Sequence, residues 1–152
     1  MTTIEIGVSQ ATGDRLGVLS GLLTRLAAEG RRRVDVLEVG SYEGQSALYF
    51  NHSISDMFPD GGSVTCVDPW APYHSPEQLV AGLVYENMDA DLRSGVVFER
   101  FKKNIQKANP RVPIGYFRGT LAQAMMLMLT GCWFDVVYLD GDHRYTSVRE
   151  DI

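Results

Sequence analysis

The chain has 152 residues, which is enough for one domain with a buried core and too few for two, and its 45% hydrophobic and 22% charged residues are an ordinary globular composition. A net charge of −5 argues against the basic footprint that most nucleic-acid-binding proteins need. No apolar run approaches the roughly 18 residues of a membrane span and the amino terminus has no signal-peptide pattern, so we expect a cytoplasmic protein without nucleic-acid or membrane partners.

Short apolar strands alternate with helices along the chain. Leucines at helical spacing predict a first helix over 14–29, which Gly30 ends. Further helices are predicted from the turn after residue 40 to about residue 53, within 69–95, over 96–108 and over 121–131. Apolar or β-branched runs predict strands at 34–39, 63–68, 114–118 and 134–140. This alternation is typical of right-handed crossovers and a parallel sheet with helices on both faces, so we predict an α/β fold.

Three further patterns are interpreted as structural. The basic run 31–33 is predicted to be the solvated end of the first helix, where positive charge suits the helix dipole. Cys66 and Cys132 lie in or beside apolar runs without CxxC spacing, which predicts buried free thiols in a reducing compartment. The methionines of the helix 121–131 are interpreted as core residues.

The first predicted strand ends in the turn Gly40-Ser41-Tyr42-Glu43-Gly44. Its two glycines allow a sharp turn and a close approach of a ligand to the backbone. The dinucleotide fingerprint GxGxxG is not met, because Tyr42 occupies the position of its second glycine, and this disfavours a nicotinamide or flavin cofactor. Glu38 is an acid inside an apolar strand, where an unpaired carboxylate is costly. Its partner is expected to be a ligand ammonium group or water in the mouth of the turn, or alternatively nearby backbone amides.

Two other strand ends carry acids. Asp68 ends the second strand, where a carboxylate can accept hydrogen bonds from both hydroxyls of a ribose. Asp140, Asp142 and His143 follow the fourth strand. Carboxylate oxygens suit Mg²⁺ or Ca²⁺, and an imidazole can remove a proton from a hydroxyl near neutral pH. The alternative is a polar turn in which Asp142 caps the following helix.

The segments at these strand ends resemble known motifs. VLEVGSYEGQSALYF resembles the first motif of class I (Rossmann-like) S-adenosylmethionine-dependent methyltransferases, and VTCVDPW resembles their acidic second-strand motif. FERFKKNIQKA followed by FDVVYLDGDHRYTSVREDI is similar to the metal-dependent O-methyltransferases that act on sugars and other natural-product hydroxyls, including macrolide-sugar enzymes. The resemblance implies a three-layer Rossmann-like sandwich in one domain over 1–152, with only the first four of the usual seven strands.

The resemblance also implies roles for individual residues. The methionine part of S-adenosylmethionine would be surrounded by Glu38, Gly40, Ser41 and Gly44. Asp68 would bind the ribose, while Trp70 and the turn Gly119-Thr120-Leu121 would border the adenine. Asp140 would bind Mg²⁺ or another divalent cation, and His143 would be the general base. The implied reaction is methyl transfer to a hydroxyl of a small-molecule acceptor.

One departure from the family leaves alternatives open. In the family a fifth strand completes the metal site, and this chain is expected to be incomplete at its carboxyl end. It is then a truncated product or fragment, a protomer of a homo-oligomer whose partner covers the exposed strand, or a protein that kept cofactor binding without catalysis. The alternative to an O-methyltransferase is therefore a non-catalytic S-adenosylmethionine-binding or assembly module, and a nicotinamide oxidoreductase is a more distant reading.

Overall fold

The computed structural model describes residues 15–73, 79, 85–128 and 131–141, and these form an α/β fold around one parallel sheet. The helices are α1 (Arg15–Ala28), α2 (Gln45–Met57), α3 (Tyr85–Ser94), α4 (Val96–Ile105) and α5 (Leu121–Met128). The strands are β1 (Val34–Val39), β2 (Gly62–Asp68), β3 (Ile114–Arg118) and β4 (Val136–Leu139). The predicted α/β class is confirmed.

The strands lie in the order β3-β2-β1-β4, and every neighbouring pair is parallel. The chain therefore builds outward from β1 in one direction and then crosses back to add β4 on the other side. Ligands of open parallel sheets bind beyond the carboxyl ends of the strands where this reversal occurs. In this sheet the reversal lies between β1 and β4, so their carboxyl ends mark the first place to look for a site.

Alternate residues of the strands point to opposite faces of the sheet and pack into two separate hydrophobic cores, one on each face. The larger core lies on the face covered by α2, and its strand residues include Val36, Val64 and Val136. The smaller core lies on the opposite face, where Leu37, Val39 and Val67 pack with two residues of α5. Because both faces bury apolar side chains, the strands read as nearly continuous hydrophobic runs. The structure thus has the helix–sheet–helix layering that the sequence predicts.

Two predictions about burial were wrong. Met125 and Met126 are 51% and 74% exposed, because α5 turns Leu121 and Ala124 toward the sheet and leaves these two methionines on its outer side. Cys66 is buried as predicted, whereas Cys132 is exposed in the connection that precedes β4. The predicted fourth strand began two residues too early and ended one residue too late, and helix α2 continues past residue 53 to Met57.

The basic run 31–33 lies at the amino edge of the sheet, beyond the end of α1. Arg31 pairs with Asp135 at 3.0 Å, and Arg33 pairs with Asp35 through two hydrogen bonds. Arg32 makes the same kind of two-bond contact with Asp60. All three arginines are more than half exposed, which agrees with the predicted solvated position. Within the described part of the chain, no helix has the length and apolar character needed to cross a membrane.

The tightest backbone approach at the other edge of the sheet is at Gly40. Its φ of 86° lies in the left-handed region, and a Cβ placed on it would lie 2.5 Å from the backbone nitrogen of Gly141. The Asp140 amide donates to the Val39 carbonyl at 2.8 Å, which keeps the two strand ends together. Gly40 is therefore required by the contact between the ends of β1 and β4.

Gly40→Ala should lower the free energy of unfolding by about 2 kcal/mol or more, because the added methyl group meets backbone and the φ is unfavourable. Gly21→Ala is the matched control, since Gly21 lies within α1 and a Cβ there would meet nothing within 4 Å. That substitution should stabilise the protein by about 0.5–1 kcal/mol. Urea unfolding of the three proteins measures both effects, and equal stabilities for Gly40→Ala and the parent would contradict the assigned contact.

Candidate functional site

Most residues that the sequence singles out lie at the carboxyl edge of the sheet. Gly40 and Ser41 follow β1, Asp68 ends β2, Gly119 follows β3 and Asp140 follows β4. Backbone hydrogen bonds join these ends in pairs, from Gly40 to the Val67 carbonyl at 2.8 Å and from Gly119 to the Asp68 carbonyl at 3.0 Å. Four chain segments far apart in sequence are thereby brought to one rim.

Glu38 is fully buried beneath the first turn of α2. Its Oε1 accepts a hydrogen bond from the Ser46 hydroxyl, and its Oε2 accepts one from the Cys66 thiol at 3.4 Å. Burial raises the pKa of the Glu38 carboxyl, and the Ser46 hydroxyl opposes that rise. The negative charge of Asp140 raises this pKa further, which indicates that the two carboxyls face the same region. The partners of Glu38 are thus side chains of α2 and β2, not the backbone amides of the alternative interpretation.

The Ser41 hydroxyl is buried and, among the described residues, makes no hydrogen bond of acceptable geometry. It lies close enough to Glu38 and Cys66 to lower the pKa of both groups as a hydrogen-bond donor would, but its alignment with either group is too poor for a well-formed hydrogen bond. Leaving such a hydroxyl unpaired costs about 1–3 kcal/mol, so a buried polar atom of this kind calls for an explanation. A polar ligand group at the end of β1 would supply the hydrogen bond that Ser41 lacks.

The Asp68 carboxylate binds two backbone amides with its two oxygens. Oδ2 accepts from Tyr42 at 2.9 Å, and Oδ1 accepts from Trp70 at 2.6 Å. Burial raises the pKa of Asp68, and these backbone amides act in the opposite direction. Each carboxylate oxygen has two acceptor positions, so Asp68 retains capacity to accept further hydrogen bonds from hydroxyl groups.

Trp70 lies in the core, only 1% exposed. Its ring packs against Phe98 and Phe101 with centroid distances of 4.8 and 4.5 Å, and its Nε1 donates to the Tyr42 carbonyl at 2.7 Å. The ring therefore supports the loop after β1 from below. The role of Trp70 beside an adenine stays a prediction.

The turn after β3 begins helix α5 with a reciprocal cap. The Gln123 amide donates to Thr120 Oγ1 at 3.3 Å, and the Thr120 amide donates to Gln123 Oε1 at 2.9 Å. This is the capping box expected of a threonine followed three residues later by a glutamine. Leu121 points into the smaller core. Gly119 and the exposed Thr120 remain at the rim, so a role beside the adenine stays a prediction for them.

Asp140 is half-buried at the end of β4, and His143 lies outside the described residues. The described ranges contain no group of three or more His, Cys, Asp or Glu side chains arranged to hold a metal ion. Asp140 is the one predicted metal ligand among the described residues. A single carboxylate does not make a binding site for a divalent cation, so the described residues by themselves do not fit one. The roles of Asp140 and His143 stay predictions.

Sequence reasoning missed a buried ion pair in the loop between β1 and α2. Glu43 is 0% exposed, and its Oε1 accepts a hydrogen bond from Arg100 Nη1 at 3.0 Å. The same nitrogen donates to Asp91 Oδ2 on α3 at 2.7 Å. A pair separated by 57 positions leaves no local pattern in the sequence, although an acid inside a glycine turn could have prompted a search for a basic partner.

Comparison with known proteins agrees with this geometry. Residues 37–152 match a protein family described as a methyltransferase domain, which is most of the chain. The chain belongs to this methyltransferase-domain family. Membership implies S-adenosylmethionine as the cofactor, as the resemblance of the motifs predicts. No curated protein matches the chain.

One match among solved structures is the crystal structure of a cyclopropane-fatty-acyl-phospholipid synthase-like protein from Lactobacillus casei. The sequence identity is 19% and the TM-score is 0.33. The match covers 87% of this chain and 41% of that protein, and the methyltransferase domain described here thus spans less than half of its length.

The buried acid of the methyltransferase domain should affect its pH-dependent stability. The folded-state pKa of Glu38 is raised above its ordinary value of 4.5, so the proton is held more tightly in the folded than in the unfolded state. Its contribution to stability is then fully present below pH 4.5 and is lost as the pH rises through the folded pKa.

The test is the difference in unfolding free energy between Glu38→Gln and the parent, measured by urea unfolding at several pH values. The amide cannot ionise, so the variant should become progressively more stable relative to the parent as the pH rises from about 4 to 7. Other groups titrate equally in both proteins and cancel. A difference that is constant with pH would refute the raised pKa.

Proposed function

We propose that this chain binds S-adenosylmethionine at the carboxyl edge of its sheet and transfers the methyl group to a hydroxyl of a small molecule, such as a sugar or another natural product. The observation that carries the proposal is the unpaired, buried Ser41 hydroxyl beside Glu38, in a chain that belongs to a methyltransferase-domain family. When bound, S-adenosylmethionine supplies a sulfonium methyl group that a nucleophilic oxygen can accept.

The residues at the ends of β1 and β2 suit the two polar parts of that cofactor. Ser41 offers a hydroxyl, and Glu38 offers a buried acid next to it, which fits the amino-acid end of the molecule. Asp68 is held by Tyr42 and Trp70 and can still accept hydrogen bonds from ribose hydroxyls. These groups are fixed before a ligand arrives, which lowers the entropic cost of binding.

The acceptor side of the proposal depends on the residues after β4. His143 is proposed as the base that removes the proton from the acceptor hydroxyl, a role that suits an imidazole near neutral pH. Asp140 is proposed as a ligand of a divalent cation. No step is assigned to the cation, because the described residues supply Asp140 alone. The acceptor itself is proposed only as a class of hydroxylated small molecules.

The alternative proposal is a non-catalytic S-adenosylmethionine-binding or assembly module, in which a homo-oligomer remains open. One observation favours this alternative. The residues proposed to bind the cofactor are held in place by hydrogen bonds, whereas the described part of the chain contains no cluster of side chains that could hold a cation. Binding of S-adenosylhomocysteine without product formation from any hydroxylated acceptor would favour this alternative.

Asp68→Ala should weaken binding of S-adenosylhomocysteine about 10- to 100-fold, because a charged acceptor for the ribose is lost. The measurement is calorimetric titration of the parent and the variant, with and without Mg²⁺. Asp60→Ala is the matched control, since Asp60 is an exposed acid that pairs with Arg32 at the opposite edge. A parent that binds in the micromolar range while Asp68→Ala binds equally well would remove the ribose role from Asp68.

His143→Ala should leave the affinity for S-adenosylhomocysteine unchanged and lower the rate of methyl transfer about 10²- to 10⁴-fold, the usual contribution of a general base. The rate is measured as S-adenosylhomocysteine formed in the presence of a panel of hydroxylated acceptors. His52→Ala serves as the control, because His52 is exposed on α2. Full activity in His143→Ala would overturn the assignment of the base.

A further inference from the structure

The loop between β1 and α2, residues 40–44, has a strained conformation at a residue that is not glycine. Tyr42 has a φ of 46°, in the left-handed region that bulky side chains rarely adopt. Such residues persist only where the surroundings fix them, and they concentrate at functional sites. The loop is also the segment that presents Ser41, so whatever fixes Tyr42 fixes the proposed ligand contact as well.

Part of the support comes from β2 and the residues that follow it. The Tyr42 amide donates to Asp68, and the Tyr42 carbonyl accepts from Trp70 Nε1. These two contacts fix the backbone amide and the backbone carbonyl of Tyr42. Neither of them involves the next residue, Glu43, which is contacted by a different element.

Helix α4 supplies that second support. Asn104 Nδ2 donates to the Glu43 carbonyl at 2.9 Å, and Arg100 Nη1 donates to the Glu43 carboxylate at 3.0 Å. Phe101 closes the same side, because a Cβ on Gly44 would lie 3.0 Å from its ring. Three residues on one face of α4 therefore contact two consecutive residues of the loop.

The Glu43 side chain is fully buried, and the Arg100 guanidinium is a cationic partner of its carboxylate. Removing the cation of a buried ion pair weakens the compensation of the buried charge, which favours rearrangement of the segment that carries it. In this protein that segment is the loop, whose backbone is strained at Tyr42. The loop would be the first element to move when Arg100 is altered.

We propose that Arg100 is a positioning residue for the cofactor: through Glu43 it holds the loop 40–44 in the conformation that presents Ser41 to the ligand. Arg100 acts through Glu43, and no contact between Arg100 and the ligand is required. The inference rests on the proposed function, because it assigns Arg100 a part in binding S-adenosylmethionine. The state of the loop, however, can be measured without any ligand.

Trp70 provides that measurement. The chain has two tryptophans, and Trp133 is 88% exposed, so Trp133→Phe leaves Trp70 as the only indole that emits. Trp70 is buried and donates its Nε1 proton to the loop carbonyl of Tyr42. When the loop leaves this position, the indole loses that hydrogen bond and gains water, and its emission shifts to longer wavelength.

The experiment compares Arg100→Gln, Arg100→Lys and Asp91→Asn in the Trp133→Phe protein. Arg100→Gln should shift the Trp70 emission to longer wavelength and weaken S-adenosylhomocysteine binding roughly tenfold, as expected when the binding-competent loop is populated in about a tenth of the molecules. The loss should appear in the association rate, with the dissociation rate unchanged. If Arg100 only stabilised the fold, its substitution would lower the melting temperature without slowing association selectively.

Two variants keep the test decisive. Arg100→Lys retains the charge but not the guanidinium group, and should change emission and affinity in the same direction by a smaller amount. Asp91→Asn removes the other partner of Arg100 and leaves the Glu43 contact, so emission and affinity should stay within about twofold of the parent. If Arg100→Gln does not fold, Arg100→Lys decides the question.

The outcomes separate this inference from the proposed function. Parental emission and parental affinity in a folded Arg100 variant would overturn the positioning role. A shifted emission in Arg100→Gln, with a parent that does not bind S-adenosylhomocysteine, would count against the proposed function and, with it, against a role of Arg100 in cofactor binding. Shifted emission together with slower association supports both.

Discussion

The Asp68 carboxylate is the contact on which the carboxyl edge of the sheet depends. It accepts hydrogen bonds from the amides of Tyr42 and Trp70, and these are the two non-glycine residues of the described chain with φ in the left-handed region. Each such conformation costs about 1–3 kcal/mol unless the surroundings compensate it. One carboxylate thus stabilises two unfavourable turns, one after β1 and one after β2. The aromatic packing of Trp70 and the position of the loop that carries Ser41 both follow from this arrangement.

The two edges of the sheet use charge differently. At the amino edge, exposed arginines pair with exposed or partly exposed aspartates, and such surface pairs contribute about 0–1 kcal/mol each and weaken with added salt. At the carboxyl edge, Glu38 and Glu43 are fully buried and Asp68 is half-buried. Buried carboxylates oppose folding unless they are well paired. All three acids are paired within the protein: Glu38 with two side chains, Glu43 with an arginine and Asp68 with two backbone amides.

Much of the fold follows from short-range patterns in the sequence. The bounds of β1 and β3 agree with prediction, and each strand is followed directly by a glycine, Gly40 or Gly119. Burial was predicted less well, since the exposure of Met125 and Met126 depends on which side of α5 faces the sheet, and Cys132 lies in the exposed connection before β4. The position of Asp68 at the rim was predictable from strand polarity. The hydrogen bonds that Asp68 accepts from Tyr42 and Trp70 were not predictable, because they depend on the geometry of two loops.

The partners of the buried acids show the same limit. An acid within an apolar strand marks Glu38 as unusual, but Ser46 and Cys66 reach it from a different helix and a different strand. Arg100 similarly belongs to an ordinary amphipathic pattern, and nothing local distinguishes it from its basic neighbours. Contacts of this kind arise from the topology, which brings distant segments to one edge. They are therefore visible in the structure and not in the sequence.

The contrast between the two cysteines has a practical consequence for labelling. Burial raises the pKa of the Cys66 thiol well above its usual range, and the negative charge of Glu38 raises it further, so Cys66 is both shielded and protonated. Cys132 is exposed in the connection before β4. Because the thiolate is the reactive form, a maleimide or a spin label should attach to Cys132 alone in the folded protein. The wild-type chain thus has a natural single attachment point on the side of the sheet where β4 lies.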